Sequence, residues 1–183
     1  MPRDKKLSGE ERRRQIADSL KKETEPQKGG ALAEKHGVSR QVIVQDISLL
    51  KAANYPIIAT PQGYLYNHPQ TETEKTTSII ACRHTKAEMA EELNILVDHG
   101  ILVKNVIVEH AAYGELSGQL MIKSRKDVER FQQLMDEQEA SLLADLTDGL
   151  HLHTVEADDE PSIEEAKQAL KTRGFLVEHV ADE

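Results

Sequence analysis

Apolar positions in the first third of the chain recur at helical spacing in two places. Over residues 9–24, Ile16 and Leu20 fall four apart on one face, with Arg12, Arg13, Arg14, Lys21 and Lys22 outside. That pattern predicts a polar amphipathic helix. From Ser39 onward, Ile43, Ile47 and Leu50 repeat at helical intervals and predict a helix with this stripe inward. A short helix over 31–36 precedes it. Ala33 and Gly37 stand where two helices approach and turn, Val38 fills the elbow, and Ser39 is placed to accept from a first-turn N–H. This is a helix-turn-helix pattern. Two apolar runs, 57–60 and 64–66, then flank Pro61-Gln62-Gly63 and predict a hairpin in the position of a wing.

Periodicity lapses between residues 67 and 77, where His68-Pro69 is followed by alternating Thr and Glu. The chain therefore reads as a domain over 1–67, a linker over 68–77 and a second domain over 78–183. In the second domain a strand over 78–84 leads to a helix ending near Asp98, opened by a capping box of Thr85 and Glu88, with Met89, Leu93, Leu96 and Val97 inward. A strand over 103–110, a turn over 111–118 and a returning strand over 119–122 follow. A helix over 126–139 (core face Val128, Phe131, Leu134, Met135), a strand over 149–155, a helix over 161–170 and a short strand over 175–177 complete the pattern. The leading β-α-β-β-α-β order predicts an α+β protein: a winged helix-turn-helix, then a ferredoxin-like α/β sandwich.

The net charge of −9 changes meaning once it is divided. Residues 1–66 hold 12 Lys/Arg against 8 Asp/Glu, and the remainder 11 against 24, giving +4 and −13. The basic part suits phosphate and the acidic part does not. The three consecutive arginines read as a solvated face, with phosphate contact as the alternative. No run of about 18 apolar residues suggests a membrane helix. The start, Met-Pro-Arg-Asp-Lys-Lys, lacks an apolar signal region, and one cysteine, Cys82, suits a cytoplasmic location.

Two groups of residues carry candidate chemistry. On the outer side of the predicted recognition helix, Arg40, Gln41, Val44, Gln45 and Ser48, with Ser39 at its start, are candidate DNA contacts. Arg and Gln can pair bidentately with guanine and adenine edges, and Val44 can touch a thymine methyl. Among eight histidines, His151 and His153 alternate on a strand and leave the same face, so they can hold one ion. His84 and His110 end two other strands that such a sheet can bring near. Imidazoles with a carboxylate suit nickel, zinc, copper or iron(II) rather than magnesium or calcium. A His-x-His pair is also an ordinary polar surface strand.

The residues His84-Thr-x-x-Glu, Glu92-Leu, 109–116 (Glu-His-Ala-Ala-Tyr-Gly-Glu-Leu) and His151-Leu-His153 resemble the three-histidine, or 3H, domain. Together with the winged helix they are similar to the NiaR-type bacterial repressors, and the resemblance runs from about Gly9 to Val177. It implies one divalent transition metal per chain, nickel or zinc, held by His84, Glu92, His151 and His153. It implies an effector pocket for nicotinic acid lined by His110 and Tyr113, control of genes for NAD synthesis and niacin uptake, operator DNA as partner, and a homodimer. In that family nicotinate acts as co-repressor. Family members often carry Pro-Val where this chain has Ala111-Ala112, which bears on the pocket shape. Glu88 is nearer to His84 in sequence and rivals Glu92 as the carboxylate. Two other functions fit the same residues: a metal-sensing repressor without an organic effector, and a metallo-hydrolase whose winged helix is autoregulatory.

Overall fold

The computed structural model describes residues 7–68 and 75–178. The chain divides into an N-terminal unit ending at residue 70 and a C-terminal unit from residue 71.

In the N-terminal unit, helix α1 spans Gly9–Lys22, α2 Gly29–His36 and α3 Arg40–Ala52, followed by strands β1 (Ile57–Thr60) and β2 (Gly63–Tyr66). Ser8 and Glu11 close a reciprocal capping box on α1. Helix α2 starts at Gly29, two residues before the start expected at residue 31. Gly37 ends it in the left-handed region, and Ser39 Oγ accepts from Val42 N to start α3. Ile16, Leu20, Leu32, Ile43, Ile47, Leu50 and Ile57 form one buried core. The wing is tied down as well. Gln27 and Tyr64 exchange two backbone hydrogen bonds of 2.8 Å, and a Cβ at Gly63 would lie 2.5 Å from the Gln27 carbonyl. Only glycine allows that approach, at its positive φ of 132°.

In the C-terminal unit, β3 (Thr76–Arg83), α4 (Met89–Asp98), β4 (Leu102–His110), β5 (Gly114–Ile122), α5 (Arg125–Glu137), β6 (Leu150–Ala157) and α6 (Glu160–Arg173) follow in order. One antiparallel sheet runs β3-β6-β4-β5. The split β-α-β plan expected from sequence is present, since β6 lies between β3 and β4. The central strands are the fourth and second of the unit, where a ferredoxin-like sheet centres on its first and third. Alternate residues of β6, from His151 to Ala157, are buried on the helical face. Leu93, Leu96, Ile101, Val103, Ile122, Ile163 and Leu170 fill the core beside them.

Several boundaries differ from the sequence reading, and four of the differences bear on the site. Thr76 and Thr77 pair with Ala157 and Glu156, so the linker expected over 68–77 loses its last two residues to β3; residues 69–74 lie outside the described ones. The turn expected over 111–118 closes within 111–113, because His110 Nδ1 accepts from the N–H groups of Ala112 and Tyr113. Strand β5 thus begins at Gly114. The expected helix start at Thr85 is a 3₁₀ turn, Lys86–Glu88, and α4 begins at Met89. Residues 175–177 form only a bridge on the outer edge of β3, with Arg83 N donating to Phe175 O and Val177 N to Ala81 O. A further 3₁₀ turn, Leu143–Thr147, was not anticipated.

Candidate metal centre and DNA-binding face

His84 follows the end of β3, Glu92 lies in the first turn of α4, and His151 and His153 stand on β6. All four side chains are buried, and Glu92 is 1% exposed. The 3₁₀ turn brings them together. With α4 starting only at Met89, Glu92 falls in its first turn, beside His84. His84 Nε2 is 2.9 Å from Glu92 Oε2, while His151 Nε2 and His153 Nε2 lie 3.3 and 3.2 Å from Glu92 Oε1. Glu88 is engaged elsewhere, accepting from Thr85 N and Thr85 Oγ1.

The other ring nitrogens fix which lone pairs face inward. Nδ1 of His84, His151 and His153 lies 2.8, 2.8 and 2.6 Å from the carbonyls of Thr85, Gly149 and Asn105. A carbonyl only accepts, so each Nδ1 carries hydrogen and donates. In the neutral rings all three Nε2 lone pairs then point at a carboxylate. Acceptors facing acceptors require a cation between them, either protons or a metal ion. His153 Nε2 carries the clearest mark of this, being buried, near Glu92 and without a hydrogen bond of acceptable geometry. Donors bound at about 2.0–2.1 Å to one ion stand roughly 3 Å apart, as these do. The residues present fit a divalent transition metal, and His84, Glu92 and His151 group within 4.8 Å of one another.

Backbone geometry protects the arrangement. Gly149 adopts φ 83°, and a Cβ there would lie 2.4 Å from His84 O. Phe175, on the bridge along β3, packs its ring edge-on to His84 at 5.7 Å. The buried Cys82 thiol has its pKa pushed up, by burial first and by the Glu92 charge second. Asn105, Gly149, Cys82 and Phe175 were not singled out from sequence. The single cysteine two residues before His84 was the one available signal.

Charge in the cluster is strongly coupled. Burial alone would raise the Glu92 pKa, but His153, His151 and His84 override it and hold the carboxyl well below 4.5. Burial would lower His84 and His153, but Glu92 overrides it and raises both above 6.5. A raised histidine contributes stability that is complete below its unfolded pKa and lost as pH climbs through the folded value. A depressed carboxyl contributes above its unfolded pKa and loses this as pH falls through the folded value. Metal-stripped protein is therefore expected to be most stable between about pH 4.5 and 6.5 and to weaken on the alkaline side, where metal-loaded protein keeps its stability. Thermal unfolding of both forms across pH checks this; a stripped form that gains stability into alkaline pH contradicts it.

His110 and Tyr113 lie at the β4–β5 hairpin, with ring centroids 5.2 Å apart. Tyr113 is 78% exposed. Because His110 Nδ1 accepts, its neutral ring carries the proton on Nε2, the opposite tautomer to the three clustered histidines.

In the N-terminal unit, Arg40, Gln41, Val44, Gln45 and Ser48 are all exposed along α3, with Ser39 exposed at its cap. Ser48 Oγ donates to Val44 O, and Ser39 Oγ is engaged as a cap. The same helix carries a feature the sequence reading passed over. Asp46 is 2% exposed on the core side, and Arg12 grips it through Nε at 2.6 Å and a second nitrogen at 3.2 Å, with Arg13 at 3.5 Å. Arg12 is therefore an internal strut and not part of a solvated face. The signal was present, since Asp46 falls on the Ile43–Ile47–Leu50 stripe, where an acid requires a cation.

Comparison with known proteins gives two family matches: an HTH domain over residues 12–65 and a 3H domain over 77–179. The transcription repressor NadR of Bacillus subtilis (strain 168) is 47% identical over 178 residues, 97% of this chain and 99% of that protein. A probable transcription repressor NiaR of Thermotoga maritima is 40% identical over 92% of this chain and 95% of its own length. No helix among the described residues is long and apolar enough to cross a membrane.

Proposed function

Since the chain belongs to the family of 3H-domain, helix-turn-helix transcription repressors that includes NadR and NiaR, we propose that it represses genes of NAD synthesis and niacin uptake in response to nicotinic acid, through a metal-bearing 3H unit. It is a DNA-binding regulator and not an enzyme, as its relatives are named repressors. The observation that carries the metal reading is the convergence of three locked Nε2 atoms on the buried Glu92 carboxylate. The effector follows from the resemblance drawn on the histidine motifs.

A bound divalent ion supplies an electrophilic point that a carboxylate oxygen or a pyridine nitrogen can occupy. The chain's own residues do the rest. His84, Glu92, His151 and His153 hold the ion, nickel or zinc. His110, with its proton on Nε2, offers a donor to a carboxylate, and the Tyr113 ring offers an aromatic face. Two chains present two α3 helices to half-sites about one turn of DNA apart, so the acting species is a homodimer. Effector and operator binding are reciprocal: whatever factor nicotinate applies to operator affinity, the operator applies to nicotinate affinity.

Calorimetric titration of nicotinic acid into metal-loaded and metal-stripped protein, with nicotinamide as control, tests the reading. Binding to the loaded form alone, selective for the acid, is the expected result. No binding to either form would favour a repressor that senses metal without an organic effector. On the DNA side, Arg40→Ala is expected to weaken operator binding by about 1–3 kcal/mol and to relax base preference at one position. Unchanged affinity in a gel-shift titration would remove Arg40 from the contact surface.

A further inference from the structure

We propose that Asn105 is a positioning residue of the histidine cluster: its side chain takes over a sheet hydrogen bond so that its own carbonyl is free to orient His153. The proposal rests on the metal reading for its consequence, but the orientation itself does not require an ion.

Strands β4 and β6 pair at Leu102 and Val103 and again at Ile107, with the register disturbed between Val103 and Ile107. Asn105 lies inside this gap. On the other side β4 also slips against β5 between Val103 and Asn105, and Met121 on β5 takes a φ of 51°, unusual for a strand residue. The two irregularities mark a bulge centred near Asn105. Its consequences are specific. Thr154 N, on β6, donates to the Asn105 side-chain Oδ1 at 2.9 Å instead of to a main-chain carbonyl. The Asn105 main-chain carbonyl then accepts from His153 Nδ1 at 2.6 Å.

The substitution of one oxygen for another suits asparagine. Its amide carbonyl stands one carbon beyond Cβ and can stand in for a backbone acceptor, which is how Asn and Asp mimic turns and caps. Alanine offers no such oxygen, and the amide of glutamine reaches too far. Locking Nδ1–H commits Nε2 of His153 to face Glu92 as a lone pair. Partners of this kind set imidazole tautomer and orientation at metal sites, and losing one typically weakens metal binding about 10–100-fold.

The test uses the full chain as wild type, Asn105→Ala and Asn105→Asp; aspartate keeps an acceptor oxygen at the same reach. Imidazole 15N–1H correlations in metal-stripped protein, in mildly alkaline buffer, report the His153 tautomer. Competition with a chromogenic chelator reports zinc affinity. The expected result is that Asn105→Ala loses the Nδ1–H tautomer at His153 alone, with His84 and His151 unchanged, and binds zinc about 10–100-fold more weakly. Asn105→Asp restores both. A folded Asn105→Ala chain with the wild-type tautomer and affinity overturns the proposal. Should the alanine variant not fold, Asn105→Asp decides: wild-type tautomer supports the assignment and a lost tautomer in a folded chain ends it. Wild-type protein that takes up no zinc defeats the metal reading, while the tautomer still judges Asn105.

Discussion

Glu92→Gln is expected to abolish stoichiometric metal uptake while leaving the metal-free fold intact. Glutamine keeps the shape of the side chain but removes the charge on which three imidazoles converge. Its amide N–H can donate to a histidine lone pair, so the stripped protein tolerates it. An ion meets a donor of little strength where it needs an anionic one, and affinity falls by more than the roughly 100-fold that an outer partner commands. The variant also separates charge from shape. Without the carboxylate, His84 and His153 lose the influence that raises them, and the alkaline weakening of the stripped protein flattens. Equilibrium dialysis with metal analysis, alongside circular dichroism, reads both effects. Stoichiometric metal retained by Glu92→Gln, or by His151→Ala with His153→Ala, would show that the ion binds elsewhere.

The second large effect lies in the other unit. Arg12→Ala leaves the Asp46 carboxylate in the helical core with only Arg13, at 3.5 Å, to answer it. Removing one partner of a buried pair costs about 3–5 kcal/mol, and Arg13 places the expectation toward the lower end. Asp46→Ala costs less, because the Arg12 side chain is 14% exposed against 3% for Asp46 and reaches water more easily. A double replacement, Arg12→Met with Asp46→Leu, recovers much of the loss by filling the site with apolar volume. Urea unfolding followed by tyrosine fluorescence reports on this unit, which contains Tyr55, Tyr64 and Tyr66. Equal stability of wild type and Arg12→Ala would mean that the pair contributes nothing. Operator affinity falls with Arg12→Ala beyond what stability explains if the strut also sets the rotation of α3.

Much of this was legible because the signals are local. The spacing of Ile43, Ile47 and Leu50, the Ser39 cap, the Gly63 hairpin and the alternation of His151 with His153 all belong to short stretches whose geometry is set by backbone period. The strand leading to His84 and the strand of the His-x-His pair become neighbours in the sheet, as β3 and β6, and Glu92 joins them. What escaped the sequence depends on which distant group answers a side chain. Nothing in the neighbourhood of Asn105 announces that its amide will serve Thr154, almost fifty residues on. The closing of the hairpin by His110 Nδ1 shortened the expected turn in the same way. Glu88, the rival nearer to His84 in sequence, is taken up by the cap at Thr85, and the 3₁₀ turn over Lys86–Glu88 delays α4 to Met89, so that Glu92 falls in its first turn.

The donors of the cluster are drawn from residue 84, residue 92 and residues 151 and 153, so an ion seated there ties the opening strand of the unit to its last. Such a clasp behaves as a reversible cross-link across a long stretch of chain, and the penalty it imposes on the unfolded polypeptide grows only slowly with that length. On the proposed metal reading, folding and metal supply become one equilibrium. On that reading, a cell short of the ion would hold a shorter-lived protein, as the unclasped unit opens more often to proteases. Its abundance would then follow metal status on a timescale of protein turnover.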